Sequence, residues 1–250
     1  MPLRPSALET DSRTGHAHTP GLARGFCLSG VAPSLRLSSM KCGLLTRAVL
    51  TVVFLTALAV TAQVEPGFVS LMDGKTFNGW RKTAENPDSW TIEDGAFVTR
   101  GPRSHLFYEG DGKPFKNFHL KVEVMTEPGS NGGIYFHTRY QERDWPRAGF
   151  ESQVNCTHSD WIKTGSLYGI VNIGHAFSQD RKWWTQEIIV EGRTITVKVD
   201  GITVLQYVEP EGAQPGRPFE RKLGEGTFAL QAHDPNSVVR YRNIRVKRLD

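Results

Sequence analysis

From Phe68 onward the sequence predicts an all-β fold, two antiparallel sheets packed face to face as a jelly-roll sandwich. Three observations carry the prediction. Apolar and polar residues alternate with a period of two in run after run. Turn-forming Asp-Gly pairs separate the runs. No stretch of ten or more residues shows an amphipathic helical period.

Taken in order, Trp90–Val98 reads as two short strands about an Asp94-Gly95 turn. Asn117–Met125 puts Phe118, Leu120, Val122 and Val124 on one face and His119, Lys121 and Glu123 on the other. Gly133–Arg139 opposes Ile134 and Phe136 to Tyr135, His137 and Arg139. Phe150–Asn155 opposes Phe150, Ser152 and Val154 to Glu151, Gln153 and Asn155. Arg193–Leu205 is the clearest hairpin, turning at Asp200-Gly201. Phe228–His233 opposes Phe228, Leu230 and Ala232 to Ala229, Gln231 and His233, and Val239–Val246 alternates likewise. Connections at 86–89, 140–148 and 209–223 are rich in Pro, Gly and charge, and none reads as a domain linker. About a dozen strands without a repeat imply one domain spanning 63–250.

The residues before it read differently. Residues 1–39 mix Ser, Pro, Arg and Gly without an apolar period, so no fold is expected there, and Met40 is the expected true start. Residues 40–62 have a basic opening, an apolar core from Ala48 to Val60 and small residues at the end, the pattern of a secretory signal. Gln63 would begin the exported protein, periplasmic or secreted, with no stable membrane span after cleavage. An uncleaved anchor is the lesser alternative, since a span needs about 20 apolar residues and this run is shorter.

The leader also explains the charge. The whole chain is formally +4, but residues 1–62 hold six Lys or Arg and two acids, leaving 24 of each sign. A neutral domain gives no electrostatic reason to expect nucleic acid or an anionic membrane as partner. Of three cysteines only Cys156 remains, so no intrachain disulfide forms, and Cys156 is read as a packed bystander.

Three strands thus offer polar rows holding a carboxylate, amides, imidazoles and a guanidinium. If they are neighbours, they make a concave surface suited to a hydroxyl-rich ligand, with Tyr168, Trp145 or Trp161 to stack on sugar faces. The competing reading is a solvated outer face. His137 alone fits a structural role, Asp234 fits a cap before Pro235, and Arg240, Arg242 and Arg245 fit a solvated edge, with Arg242 in reach of the site. The Glu-x-Asp-x-x-Glu strand of retaining β-glucanases is absent, as are a Gly-x-Ser-x-Gly elbow, a phosphate loop and a His-Glu-x-x-His site. A divalent metal is compatible with a mixed Glu, His and Asp set, but no ligand spacing enforces it and none is predicted.

Seven motifs in order, Leu71–Trp80, Trp90–Gly95, Asn131–Phe136, Gly149–Gln153, Thr164–Gly169, Ala229–Asp234 and Tyr241–Arg245, resemble the 3-keto-disaccharide hydrolase family over residues 68 to 250. The resemblance implies a concanavalin A-like jelly roll of the lectin and glucanase type, in an exported protein that cleaves 3-keto-glycosides by elimination and hydration. Many relatives read Asn-Ser-Gly where this chain has Asn131-Gly132-Gly133, some carry an acid at Asn155, and the connection Glu109–Lys116 is longer here. The chemistry needs a base, an acid and a donor to the enolate oxygen. Glu151 and His233 are assigned as base and proton donor, in either order. Gln153, His137 and Arg242 are assigned to the ketone and hydroxyls, and Asn155, Tyr135, Tyr168 and Gln231 complete the binding set. The alternative is a lectin-like carbohydrate-binding module without chemistry.

Overall fold

The computed structural model describes residues 65–250. The leader and residues 1–39 discussed above lie outside the described residues. Among the described residues, no helix is long and apolar enough to cross a membrane.

Thirteen strands and one 3-10 turn, Pro87–Ser89, make up the domain. The larger sheet contains β1 (Val69–Ser70), β3 (Trp90–Glu93), β4 (Ala96–Thr99), β6 (Phe118–Thr126), β9 (Trp184–Glu191), β10 (Thr194–Val199), β11 (Ile202–Val208) and β13 (Val239–Arg248). Its order is β11-β10-β9-β6-β13-β4-β3, with β1 also on β13. The smaller sheet, from β2 (Trp80–Lys82), β5 (Ser104–Tyr108), β7 (Asn131–Thr138), β8 (Phe150–Asn155) and β12 (Thr227–Ala232), runs β2-β5-β12-β7-β8. Every strand pairing is antiparallel, as expected of a jelly-roll sandwich.

The core forms where the alternating apolar rows meet. Strand β6 alternates buried and half-buried residues along its whole length, so Phe118, Leu120, Val122 and Val124 face inward. With Ile188, Val190, Ile195 and Val197 they pack on Ile134, Phe136, Phe150 and Phe228 of the smaller sheet. Polar side chains also tie the layers together, among them Gln186, whose Nε2 donates to Ser152 Oγ at 2.8 Å and to the Gln153 carbonyl at 3.1 Å. Both partners sit on β8, so this bond fixes the strand that carries Glu151.

The smaller sheet departs from the simple alternation. Every residue of β7 and β8 is buried, on both faces. The face expected to meet solvent is roofed by the connections. The Glu220 N–H donates to the Arg147 carbonyl at 2.7 Å, joining the 140–149 and 209–224 loops. Arg221 Nη1 donates to the Gly149 carbonyl at 2.9 Å. On the far side of β8, the Tyr168 N–H donates to the Glu151 carbonyl at 2.9 Å and the Gln153 N–H to the Ser166 carbonyl at 3.0 Å. A polar row under a roof needs internal partners, whereas a solvated row does not. The row of arginines is corrected too: β13 is interior to its sheet, and Arg240 and Arg242 pair with Glu127 and Glu123 on its outer face.

Candidate active site

Beneath the roof lies a cavity of about 440 Å³, lined by Glu151 and Gln153 of β8, Asn131 and Tyr135 of β7, and Gln231 and His233 at the end of β12. Register explains the convergence. Tyr135 pairs with Glu151, and Gly133 with Gln153, across β7 and β8. Ala229 pairs with Tyr135 across β12 and β7. Alternation then puts all of these side chains on one face. Trp145, Tyr168, Gly169, Phe219 and Arg221 come from the roof.

At the centre Glu151 accepts hydrogen bonds from Tyr135 Oη (2.7 Å, on Oε2) and Gln231 Nε2 (2.9 Å, on Oε1). Burial pushes the Glu151 carboxyl above its ordinary range, against the opposing pull of Tyr135, Arg221, Gln231 and His233. Burial, with the neighbouring Glu151 charge, raises the Tyr135 phenol well above its ordinary value, so it stays a neutral donor. Glycine at 133 is what admits the carboxylate: a Cβ there would sit 2.4 Å from Glu151 Oε1. A Cβ at Gly132 would sit 2.6 Å from Tyr241 Oη, so the Gly132-Gly133 pair has a steric cause on both faces.

Two amide oxygens face no protein donor. Gln231 spends its Nε2 on Glu151 and on Tyr135 Oη (2.9 Å), and Gln153 spends its Nε2 on Asn131 Oδ1 (2.9 Å). Their Oε1 atoms are left buried and unpaired. Unpaired buried acceptors are uncommon, and here both belong to side chains lining the cavity.

The rim holds an imidazole, that of His233. His233 Nδ1 lies 2.9 Å from Asp234 Oδ2. Asp234 also accepts from Ser237 Oγ (2.6 Å) and the Asn236 N–H (2.9 Å). Burial tends to raise the Asp234 carboxyl, but the bonds from Ser237, His233 and Asn236 outweigh it and hold it low, so it is an anion. An anionic acceptor at Nδ1 puts the His233 proton there and leaves the Nε2 lone pair free. The indole of Trp145 lies 5.2 Å from the His233 ring and holds it against the cavity wall.

His158, His233 and Asp234 each have a ligand atom within 4.8 Å of the others. His158 Nδ1 already accepts the Asp160 N–H at 3.0 Å, which puts its own proton on Nε2, 3.9 Å from Asp234. As placed, His233 is hydrogen-bonded to the Asp234 anion and His158 lies beside it, beyond hydrogen-bond reach. A cation there would have to displace the proton shared by His233 and Asp234.

Of the residues expected from sequence, the structure brings Glu151, His233, Gln153, Tyr135, Tyr168 and Gln231 together at the cavity, with Trp145. Four stand outside it. His137 has a φ of 53°, which breaks the alternation and turns its ring onto Phe118 and Phe136 in the core. There its Nε2 meets the Lys116 carbonyl at 2.9 Å and its Nδ1 accepts the Gly224 N–H at 3.3 Å. Arg242 belongs to the other sheet, with Nε donating to Glu123 Oε2 at 2.8 Å and the guanidinium stacked 3.8 Å over Trp183. Asn155 shapes a loop: its Nδ2 donates to the carbonyls of Asp160 and Ile162, and its Oδ1 accepts the His158 N–H. Trp161 is exposed and does not line the cavity.

Four contributors were not singled out as site residues: Arg221, Phe219, Asn131 and His105. Asn131 opens the Asn131–Phe136 motif, and its spacing of two from Gly133 was the available signal. His105 is fully buried behind the lining, its ring 5.5 Å from Tyr135 and 5.7 Å from Trp145. Neither of its nitrogens has a protein partner.

Known proteins resemble this chain in sequence and in fold. A curated 3-keto-disaccharide hydrolase from Bacteroides thetaiotaomicron is 40% identical over 78 residues, 28% of this chain and 27% of the relative. The match thus spans about a quarter of that relative's length. Two solved structures of candidate glycosyl hydrolases from Parabacteroides distasonis, each 20% identical, share the fold. One has a TM-score of 0.61 over 74% of this chain and 94% of its own, the other 0.57 over 73% and 99%. A carbohydrate-binding module from Bacillus subtilis, 12% identical, matches with a TM-score of 0.50 over 68% of this chain and 95% of its own. The model of the 3-keto-alpha-glucoside-1,2-lyase-like domain matches residues 67–247, the whole of the sandwich just described, and the chain belongs to that family.

Proposed function

We propose that this carbohydrate-active protein cleaves 3-keto-glycosides by elimination at the glycosidic bond followed by hydration. The observation that carries the reading is the meeting, in one roofed cavity, of an imidazole paired with Asp234 and a buried carboxyl whose pKa burial raises. A ketone at C3 acidifies the C2 proton. His233 Nε2 takes that proton, and Asp234 steadies the imidazolium that forms. The electron pair moves to the C3 oxygen as an enolate, then returns to form the C1–C2 double bond as the C1–O bond breaks. Glu151 supplies the proton to the departing oxygen, a role that suits a carboxyl raised by burial. Arg221 is the cation in the cavity to meet the enolate oxygen. Water adds to the double bond to complete the net hydrolysis. The Oε1 atoms of Gln153 and Gln231 accept sugar hydroxyls, while Tyr168 and Trp145 provide aromatic walls.

An ordinary glycosidase with paired carboxylates is not needed for this route, because acidity at C2 replaces the oxocarbenium path. The secretory pattern at residues 40–62 assigns the reaction to the periplasm or the outside of the cell; the amino terminus of the protein recovered there should be Gln63. The deciding assay offers the purified protein a 3-keto-disaccharide beside its unoxidised parent, with and without a chelator. Cleavage of the keto form alone supports elimination, and loss of that cleavage in chelator would assign a metal to the step. Equal cleavage of both sugars would overturn the mechanism. Saturable binding without cleavage would assign the cavity to lectin-like recognition instead.

A further inference from the structure

The smaller sheet carries a second cavity, of about 380 Å³, at the opposite end of its strands. Gln231 and Asn131, at the end of β12 and start of β7, line the first cavity; Thr227 and Thr138, at the start of β12 and end of β7, line the second. The apolar cluster of Phe107, Tyr135 and Ala229, with Tyr140 against it, stands between them.

Its outer wall is the Glu109–Lys116 connection, the segment that reads as longer than in relatives. That wall is pinned. Arg248 donates to the carbonyls of Lys113 (2.8 Å) and Pro114 (2.7 Å), and Phe115 pairs with Gly226 through backbone bonds of 2.7 and 3.1 Å. Three of its four charged side chains already have counter-ions: Glu109 with Arg81, Asp111 with Arg248 and Arg139 with Glu220. A rim neutralised from within favours a neutral ligand. The wall also includes Thr138, which is buried and whose Oγ1 has no hydrogen-bond partner. Thr227 differs, because its hydroxyl is used on the Tyr108 carbonyl. Tyr140 adds an aromatic wall, stiffened by Arg81 stacked 3.6 Å from its ring centre.

We propose that this cavity is a second carbohydrate site, holding a neutral sugar unit by a hydrogen bond to Thr138 and contact with Tyr140. It rests on the carbohydrate reading of the protein but not on catalysis in the first cavity. The test titrates the purified protein with glucose, maltose, cellobiose and trehalose by calorimetry and saturation-transfer NMR. Wild type is compared with Thr138→Val, Tyr140→Ala and, in the first cavity, Tyr168→Ala. Two sugars should bind per chain. Thr138→Val should weaken the second site about fivefold without lowering Tm, since it removes one hydrogen bond and one unpaired buried hydroxyl. Tyr140→Ala should weaken the same site and spare the first. A single site that Tyr168→Ala abolishes and Thr138→Val leaves untouched would overturn the proposal while keeping the first-cavity reading. Binding sensitive to Thr138→Val but not to Tyr168→Ala would uphold it and undo that reading. No binding of any of the four sugars would overturn it.

Discussion

Replacing His105 by Phe should remove much of this domain's sensitivity to mild acid. His105 lies on β5 opposite Gln231, fully buried against Tyr135 and Trp145, with neither ring nitrogen paired. Burial, helped by the nearby Arg103 charge, lowers its pKa from 6.5 to about 3. An unfolded chain takes up this proton near 6.5, whereas the folded chain resists until about 3. The contribution of neutral His105 is therefore intact above pH 6.5 and is lost progressively as pH falls toward 3. At pH 4.5 the unfolded side chain is about two pH units past its midpoint, a loss of about 2.7 kcal/mol at 1.36 kcal/mol per unit. For a domain of this size that is a fall in Tm of roughly 5–10 °C. Carboxylates titrate over the same range, but they do so in both proteins and cancel in the difference. The assay is thermal unfolding of wild type and His105→Phe at pH 7 and pH 4.5. The wild type should lose about 2–3 kcal/mol more than the variant. Equal losses would refute a neutral, unpaired His105.

The other predictions concern the first cavity. Asp234→Asn should leave the fold intact and lower kcat about 10²- to 10⁴-fold, because His233 loses its anionic partner and fixed tautomer; a variant within tenfold of wild type contradicts the base assignment. Glu151→Gln should abolish most activity and erase the alkaline limb of the pH–rate profile, which belongs to an acid whose pKa is raised by burial. The raised carboxyl favours the fold below the ordinary Glu pKa and loses that effect as pH rises through its folded value, so Glu151→Gln should also flatten the fall in Tm between those two values. Gly133→Ala should cost about 1–3 kcal/mol and most activity, since its Cβ would lie 2.4 Å from Glu151 Oε1; unchanged Tm and kcat would mean the strand gives way easily.

Period-two alternation made the strands legible, and it carried the placement of Glu151, Gln153, Tyr135, Gln231 and His233 on one polar face. It failed where the backbone stops alternating: the positive φ of His137 could not be read from its flanking residues. Arg242 was misplaced for a different reason. Alternation assigns a face within a strand but says nothing about which sheet the strand joins, and β13 joined the larger one. The roof was illegible because it depends on which loops meet. Arg221 reaches the site only because the 209–224 connection docks on 140–149. His105 sits in the short run Ser104–Tyr108, where a histidine among Leu106, Phe107 and Tyr108 resembled nothing catalytic. Asp234 reads correctly as a turn cap, since it accepts the Asn236 N–H, but the same carboxylate orders His233.

The two sheets divide the labour between stability and recognition. Among the described residues, the buried side-chain atoms without partners belong to His105, Thr138, Gln153 and Gln231. These occupy β5, β7, β8 and β12, all in the smaller sheet. The larger sheet pairs even the buried amide it sends into the core, through Gln186. Each unpaired group costs about 1–3 kcal/mol, so their confinement to one sheet concentrates local instability under the roof. A ligand that satisfies them returns part of that cost as binding energy. At one sugar concentration, binding should therefore raise Tm more in wild type than in a variant with Gln153 and Gln231 replaced by Leu, because the variant binds more weakly.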